Sequence, residues 1–397
     1  MKRINLKKAS VARADTIRTI NRQIVLNYVR ERSPISRAEI AHETALQRST
    51  ISLIVEELKA EGLVEEIDGE STGGRPPLLL RLRASGPVAV GVDVGTKRTV
   101  VATSDLAGRV LEQVEFETDP DAEETLERMI RHVTRLVKKD RETVEGVGVS
   151  LPGLVDFETG TALFIPRFKW RDWAVGRAVG EATGLPVAVD NDANAVALAE
   201  LWFGRPEVRE VRDFIMVLVE SGLGTGVVFD GQVYRGEMGA AGEFGHMTIG
   251  QGAPVACATG SRECWEAFAS ERAALARYRA AGDGHAPPRF GFDQLIDRAL
   301  GGEEAARAAL TETARYLGLG VANLIKGLSP EAVILGGRIA RAWALIEEEL
   351  RRAVASNSLC RGLPAPRIFV SSLGERPRLR GALSLVLAGK FASPLTT

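Results

Sequence analysis

No apolar stretch in the 397 residues approaches the roughly 20 needed to span a bilayer. The first ten residues, MKRINLKKAS, are basic but lack the apolar core of a secretory signal. A cytoplasmic protein with no membrane partner is expected. Three cysteines are too few for a disulfide framework, and no low-complexity tract interrupts the chain. Net charge is also nearly missing: the formal total is −1, so the chain as a whole is not a generic polyanion binder. That small total hides an asymmetry. Residues 1–50 carry 11 Lys+Arg against 4 Asp+Glu, a net of +7, which leaves −8 for the rest. A basic end on an acidic body points to a nucleic-acid-binding head.

Apolar residues at 17, 20, 24, 25, 28 and 29 recur at helical spacing, and Pro34 ends that helix. Ser36 followed by Glu39 is a capping box for a second helix. Ile51, Ile54, Val55 and Leu58 form the inner stripe of a third, stopped by Gly62. Three short helices with a tight link between the last two read as a helix-turn-helix. LVEEIDGESTGGRPPLLLRL then reads as a two-stranded wing with Gly73, Gly74 and Arg75 at its tip. Gln47, Arg48, Ser49 and Thr50, at the start of the third helix, would face bases in the major groove. Arg37 joins them as a DNA contact, and Arg75 would reach a minor groove or a phosphate. A helical domain that docks protein is the competing reading.

ASGP at 84–87 is a plausible linker. Beyond it, strand-like runs near 90 and 215 each meet a glycine-bearing turn, which fits two similar lobes with a cleft between them. DVGTK brings Asp93 and Gly95. Gly222, Gly224 and Gly226 make a second glycine turn, and Gly336-Gly337 a third. Glycine turns between strands are common without phosphate. Pro152-Gly153 follows a buried strand. Asp190-Asn191-Asp192-Ala193-Asn194 sits where a strand runs into a helix, the place at which open α/β sheets put ligands. An ordinary Asx turn capping the helix is the alternative.

The densest chemistry lies in Gly239–Glu266. Glu243 and His246 are three apart, Cys257 and Cys264 seven apart, and Glu266 follows. His and Cys together are the usual ligands of structural zinc. The two glutamates suit the hydroxyls of a polar ligand. A glycine-rich loop with incidental cysteines would look much the same, because this is not a standard finger spacing.

GAAGEFGHMTI with the Cys-rich run after it, the NDANA and LPG motifs, and SRAEIA with GRPPLLL together resemble the ROK family of repressors and sugar kinases over nearly the whole chain. The resemblance implies an α/β, actin-like (ribonuclease H-like) two-lobed fold behind a winged helix-turn-helix. The implied boundaries are a head at 1–84, a first lobe at 85–190 completed by about 380–397, and a second lobe at 191–379. It implies a sugar held by Asn191, Asp192, Glu243, His246 and Glu266 beside Gly153, with Asp192 equivalent to the kinase base. Asp93, Gly95, Gly222, Gly224, Gly336 and Gly337 become remnants of nucleotide loops. The departures matter. Thr96 stands where the first phosphate loop has its second Gly, and Lys97 where it has Thr. Ala45 replaces a frequent turn glycine. Thr259 replaces one of the three zinc cysteines, leaving His246, Cys257 and Cys264, so zinc is possible but no cofactor is certain. The expectation is therefore a regulator rather than an enzyme. It would be a repressor of sugar-metabolism genes, a homodimer or homotetramer binding an inverted repeat in double-stranded DNA, and released or engaged by a monosaccharide. A sugar kinase retaining a DNA-binding head, or a repressor controlled by a protein partner, are the alternatives.

Overall fold

The computed structural model describes residues 14–70, 76–83, 88–281, 290–356 and 366–392. Gly73, Gly74, Arg75 and the expected linker at 84–87 lie outside them. By compactness the chain divides into two units. One holds the residues up to Val88 together with Ser104–Leu111 and the end of the chain from Leu387. The other holds Ala89–Thr103 and Glu112–Val386.

In the first unit, α1 (Ala14–Arg32) precedes a short strand β1 (Ile35–Ser36), then α2 (Arg37–Thr44) and α3 (Arg48–Ala60). The strands β2 (Val64–Asp68) and β3 (Leu78–Leu82) follow, and the sheet order is β1-β3-β2. The expected capping box is formed: Ser36 Oγ accepts from Glu39 N at 3.2 Å, and Glu39 Oε2 accepts from Ser36 N at 2.8 Å. The predicted stripe Ile51, Ile54, Val55 and Leu58 is buried, together with Leu26, Ile40 and Leu80. Ala45, which caps α2, sits at φ 57°, a left-handed conformation that suits glycine better than alanine. Arg37 is already paired: its guanidinium is 2.6 Å from Glu56 and 2.5 Å from Glu66, so it braces α2 against α3 and β2.

The second unit carries two five-stranded sheets. The first uses β4 (Ala89–Val94), β5 (Arg98–Ser104), β6 (Val110–Glu117), β7 (Gly146–Leu151) and β11 (Val187–Asn191). A small sheet, β8 (Leu154–Asp156), β9 (Thr161–Ile165) and β10 (Trp170–Trp173), is inserted before β11, with α4 (Ala122–Lys139) and α5 (Val175–Thr183) packed alongside. The second large sheet uses β12 (Phe214–Val219), β13 (Leu223–Phe229), β14 (Gln232–Val233), β15 (Ala332–Gly336) and β16 (Arg367–Val370). The orders are β11-β7-β4-β5-β6 and β14-β13-β12-β15-β16. Numbered within each sheet, both read 3-2-1-4-5, so the similarity suspected from the turns near 90 and 215 extends to topology. The central strands β4, β7, β12 and β15 are buried throughout, which is why their sequences are nearly continuous apolar runs.

Helices α6 (Asp192–Phe203) and α7 (Pro206–Arg209) link the two sheets. α8 (Trp265–Ala269), α9 (Glu271–Ala281), α10 (Phe292–Leu300), α11 (Glu304–Leu328) and α12 (Trp343–Ser356) build around the second. The closing helix α13 (Pro377–Phe391) returns to the first sheet. A Cβ on Gly91 would lie 2.7 Å from Leu383 Cγ, and one on Gly148 only 1.9 Å from the Ala382 carbonyl oxygen. The helix backbone therefore rests directly on β4 and β7. Among the described residues, no helix is long and apolar enough to cross a membrane.

Candidate functional site

Five strands of the two sheets bring polar residues or glycines to their C-terminal ends: Asp93, next to last on β4, Gly153 beyond β7, Asp190-Asn191 on β11, Glu220 after β12 and Gly337 after β15. Asp93, Asp192 and Glu220 meet at one guanidinium, that of Arg378 in the first turn of α13. Arg378 Nε is 3.4 Å from Asp93 Oδ1, and its Nη1 is 3.2 Å from Glu220 Oε2 and 4.0 Å from Asp192 Oδ2. Burial raises Asp192 to about 7; Arg378 opposes this, while Glu220 and Asp93 add to it. Burial likewise lifts Asp93 to about 6 against the pull of Arg378. A cavity of about 360 Å³ opens beside them, lined by Thr96, Lys97, Arg338 and Arg376 among others. Arg338 faces Glu271 and, at 2.9 Å, Asp293. Burial raises Glu271 to about 7 despite that partner.

The expected sugar residues divide by their existing bonds. Asn191 is the N-cap of α6: its Oδ1 accepts from Ala193 N at 2.9 Å and Asn194 N at 3.3 Å, and its Nδ2 donates to the Gly153 carbonyl at 2.9 Å. The Asx cap considered from sequence is thus formed, and it ties together two positions expected near the ligand. Asp190, which was not selected, is buried and held by Arg235 Nε at 2.9 Å. Asp192 accepts only from its neighbour Ala193 N, at 2.9 Å, apart from the ion pair. Glu266 Oε1 accepts from Ala258 N at 2.9 Å and Arg272 Nη2 at 3.0 Å, and its Oε2 from Leu223 N at 3.3 Å. A carboxylate has about four acceptor positions, so little capacity remains there. Glu243 is half exposed, with His246 Nε2 3.8 Å from its Oε2. Desolvation pushes it upward, His246 opposes, and Glu266 reinforces the rise. Asp192 and Glu243 are thus the carboxylates best able to accept from a newcomer.

His246, Cys257 and Cys264 place one ligand atom each within 4.8 Å of one another. His246 Nδ1 is buried and has no hydrogen-bond partner, which suits an atom reserved for a metal. The fourth neighbour is a hydroxyl: Thr259 Oγ1 lies 3.1 Å from Cys257 Sγ. Cys257 is shifted down to about 7, where burial is outweighed by bonds from Thr259 and Cys264. Its partner Cys264 is pushed up to about 12, first by burial. The loop is independently anchored by packing. Trp265 is fully buried and donates Nε1–H to the Tyr316 carbonyl at 3.0 Å, and Phe268 stacks on Tyr316 at 4.5 Å.

The second glycine turn requires correction. Gly224 and Gly226 lie inside β13, not in a loop. A Cβ on Gly226 would sit 2.5 Å from the Ala193 carbonyl oxygen and 2.8 Å from Ala197 Cβ. These glycines let α6 lie close on the strand. Only Gly222 occupies the turn, next to Glu266. The first turn lines the cavity, and a Cβ on Gly95 would lie 2.6 Å from the Arg98 carbonyl oxygen and 2.9 Å from Arg378 Nη2.

On the head, Gln47, Arg48 and Ser49 are exposed and Thr50 half-buried at the start of α3. Leu53, one turn further, is 68% exposed. It was not selected from sequence, although an outward leucine on an otherwise amphipathic helix is a visible signal.

The ROK family profile matches residues 89–388. The chain belongs to the ROK family. It is 33% identical over 393 residues to a xylose repressor of Caldicellulosiruptor bescii, covering 95% of this chain and 98% of that one. A crystal structure of a ROK family transcriptional regulator, a homologue of the E. coli MLC protein, superposes with a TM-score of 0.75 at 27% identity, covering 95% of this chain and 97% of that one. A ROK glucokinase from Streptomyces griseus, solved with glucose and AMPPNP, has a TM-score of 0.64 at 30% identity and covers 77% of this chain and all of its own. The ROK motifs on this chain were legible as motifs. Arg378, Glu220, Arg338 and Arg272 were not, because an arginine on a closing helix carries no sign of which carboxylates it will meet.

Proposed function

We propose that this ROK protein is a DNA-binding transcriptional repressor of sugar-metabolism genes whose operator affinity is set by a monosaccharide bound in its body. The observation that carries the reading is that one chain joins two features. One is a helical head whose α3 presents Gln47, Arg48 and Ser49 outward. The other is a body in which Asp192 and Glu243 retain acceptor capacity beside the Asn191–Gly153 bond. The matches to a xylose repressor and to a ROK family transcriptional regulator, each covering 95% of this chain, support it further. The head is a winged helix-turn-helix over 1–84, and the lobes follow at 85–190 with the closing segment and at 191–379. α3 enters the major groove of one half-site, Leu53 meets a thymine methyl, and two copies bind an inverted repeat in the cytoplasm. Sugar hydroxyls donate to Asp192 and Glu243, with His246 and the one acceptor position left on Glu266 beside them. Binding shifts the balance between lobe arrangements, and that shift alters the spacing of the two heads.

Zinc, where bound, would be held by His246, Cys257 and Cys264 and would fix the loop that bears Glu266. We infer that it is held weakly, since a protonated hydroxyl is a poor fourth ligand and structural sites use four strong ones.

The test is a thermal-shift panel of monosaccharides on the full chain, with operator binding measured in parallel. A ligand at about a hundred times its dissociation constant stabilises by roughly 2.7 kcal/mol. Glu243→Gln should keep DNA binding and weaken the sugar response ten- to a hundredfold, the loss of about 1.5–3 kcal/mol for one charge-assisted bond. A protein that no monosaccharide stabilises and that binds DNA regardless would favour control by a protein partner. Sugar phosphorylation at ordinary kinase rates of about 1–100 per second would instead identify a kinase with a DNA-binding head.

A further inference from the structure

Three acidic side chains from separate elements, Asp93 on β4, Asp192 at the start of α6 and Glu220 after β12, converge in a largely buried space. Such a convergence is costly unless a cation shares it. In this chain the cation is covalently part of the protein. Arg378 reaches all three, at 3.4, 4.0 and 3.2 Å. Its Nη2 also lies against the Gly95 turn, 2.9 Å from where a Cβ would stand, beyond the Arg98 carbonyl oxygen at 2.6 Å. No hydrogen bond is made to the buried Asp93 Oδ1, so the guanidinium's charge rather than a directed bond holds that oxygen.

We propose that Arg378 is an internal counter-ion that stands in for a divalent cation between Asp93, Asp192 and Glu220, and so positions Asp192 to accept a sugar hydroxyl without metal or nucleotide. The sugar part of this statement rests on the function proposed above; the counter-ion part does not. The guanidinium lies among the three carboxylates where a cation would sit, and its charge is already matched by them. Ligand binding in the wild-type protein is therefore indifferent to magnesium and to ATP. Arg378 is a positioning residue, acting through Asp192.

The experiment compares the wild-type chain with Arg378→Met and Arg378→Lys by thermal shift, using MgCl2 alone, MgCl2 with ATP, and D-xylose, D-glucose or N-acetyl-D-glucosamine with and without MgCl2. Wild type and Arg378→Lys should show no stabilisation by millimolar magnesium. Arg378→Met leaves three carboxylates facing one another, so magnesium should stabilise it. It should also recover part of a sugar affinity lowered on the order of tenfold. A residue that only filled space would not be rescued by a metal ion. An Arg378→Met protein indifferent to magnesium overturns the proposal. So does a wild-type protein that magnesium or magnesium–ATP stabilises, a result that needs no variant to fold. If no sugar acts on the wild type while magnesium still stabilises Arg378→Met, the sugar reading fails and the counter-ion stands.

Discussion

Replacing Asp192 by Asn should change how stability depends on pH, and the sign follows from its surroundings. In the unfolded chain the carboxyl titrates near its ordinary value of 3.8; in the fold it is raised to about 7, first by burial. Between those values the folded state holds a proton that the unfolded state has lost. The stabilisation from this group is complete below the unfolded value and disappears as pH rises through about 7. Each pH unit in that window is worth about 1.4 kcal/mol, so moving from about pH 5.5 to about pH 8 removes roughly 2 kcal/mol. Asp93 and Glu271 contribute slopes of the same sign in the wild type, since both are also raised. The readout is therefore a difference. Urea unfolding of wild type and Asp192→Asn at both pH values should show the variant gaining about 2 kcal/mol on the wild type between the acidic and alkaline buffers. A constant packing penalty of the Asn cancels in that comparison. Parallel pH profiles would mean that Asp192 is ionised in the fold across this range and that Arg378 outweighs burial.

Arg48→Ala should weaken operator binding more than binding to random DNA in a fluorescence titration, because a base contact carries discrimination; equal losses would assign Arg48 to a phosphate. Thr259→Cys should raise the zinc content of protein purified without chelator towards one per chain, whereas the parent holds less; near-stoichiometric zinc in the parent, lost in Cys257→Ser, would show that three ligands suffice. Ala45→Gly should stabilise the isothermal unfolding of the head by about 1 kcal/mol, since the left-handed conformation at φ 57° costs a side chain roughly that much; an unchanged midpoint would mean the strain is relieved elsewhere.

Local signals were the most legible. The capping box at Ser36, the α3 stripe and the buried strands were readable because each depends on residues a few positions apart. The candidate site was half legible. Asp192, Glu243 and His246 stand in motifs, and their side chains retain open bonding capacity or an unpartnered atom. What sequence could not supply was the state of those side chains. Glu266 lies in its motif, yet three donors already occupy it. Gly224 and Gly226 looked like a glycine turn because glycine marks close approach of any kind, and here the approaching group is α6, through the Ala193 side chain at Gly224 and the Ala193 carbonyl at Gly226. Arg37 looked free because its partners Glu56 and Glu66 are 19 and 29 positions away.

The seating of α13 on β4 and β7 has a consequence for how the protein is made. The sheet positions at Gly91 and Gly148 are covered by Ala382 and Leu383, which leave the ribosome only after nearly the whole chain has been translated. At about 5–20 residues per second, the first sheet waits some tens of seconds with that face bare. The head, whose helices and strands lie before Val88 apart from two short later segments, has most of its parts long before then. A prematurely terminated chain would thus carry an intact α3 on a body that cannot close. Such a fragment leaves the face of β4 and β7 at Gly91 and Gly148, which α13 covers, open to chaperones and proteases, so degradation is its expected fate.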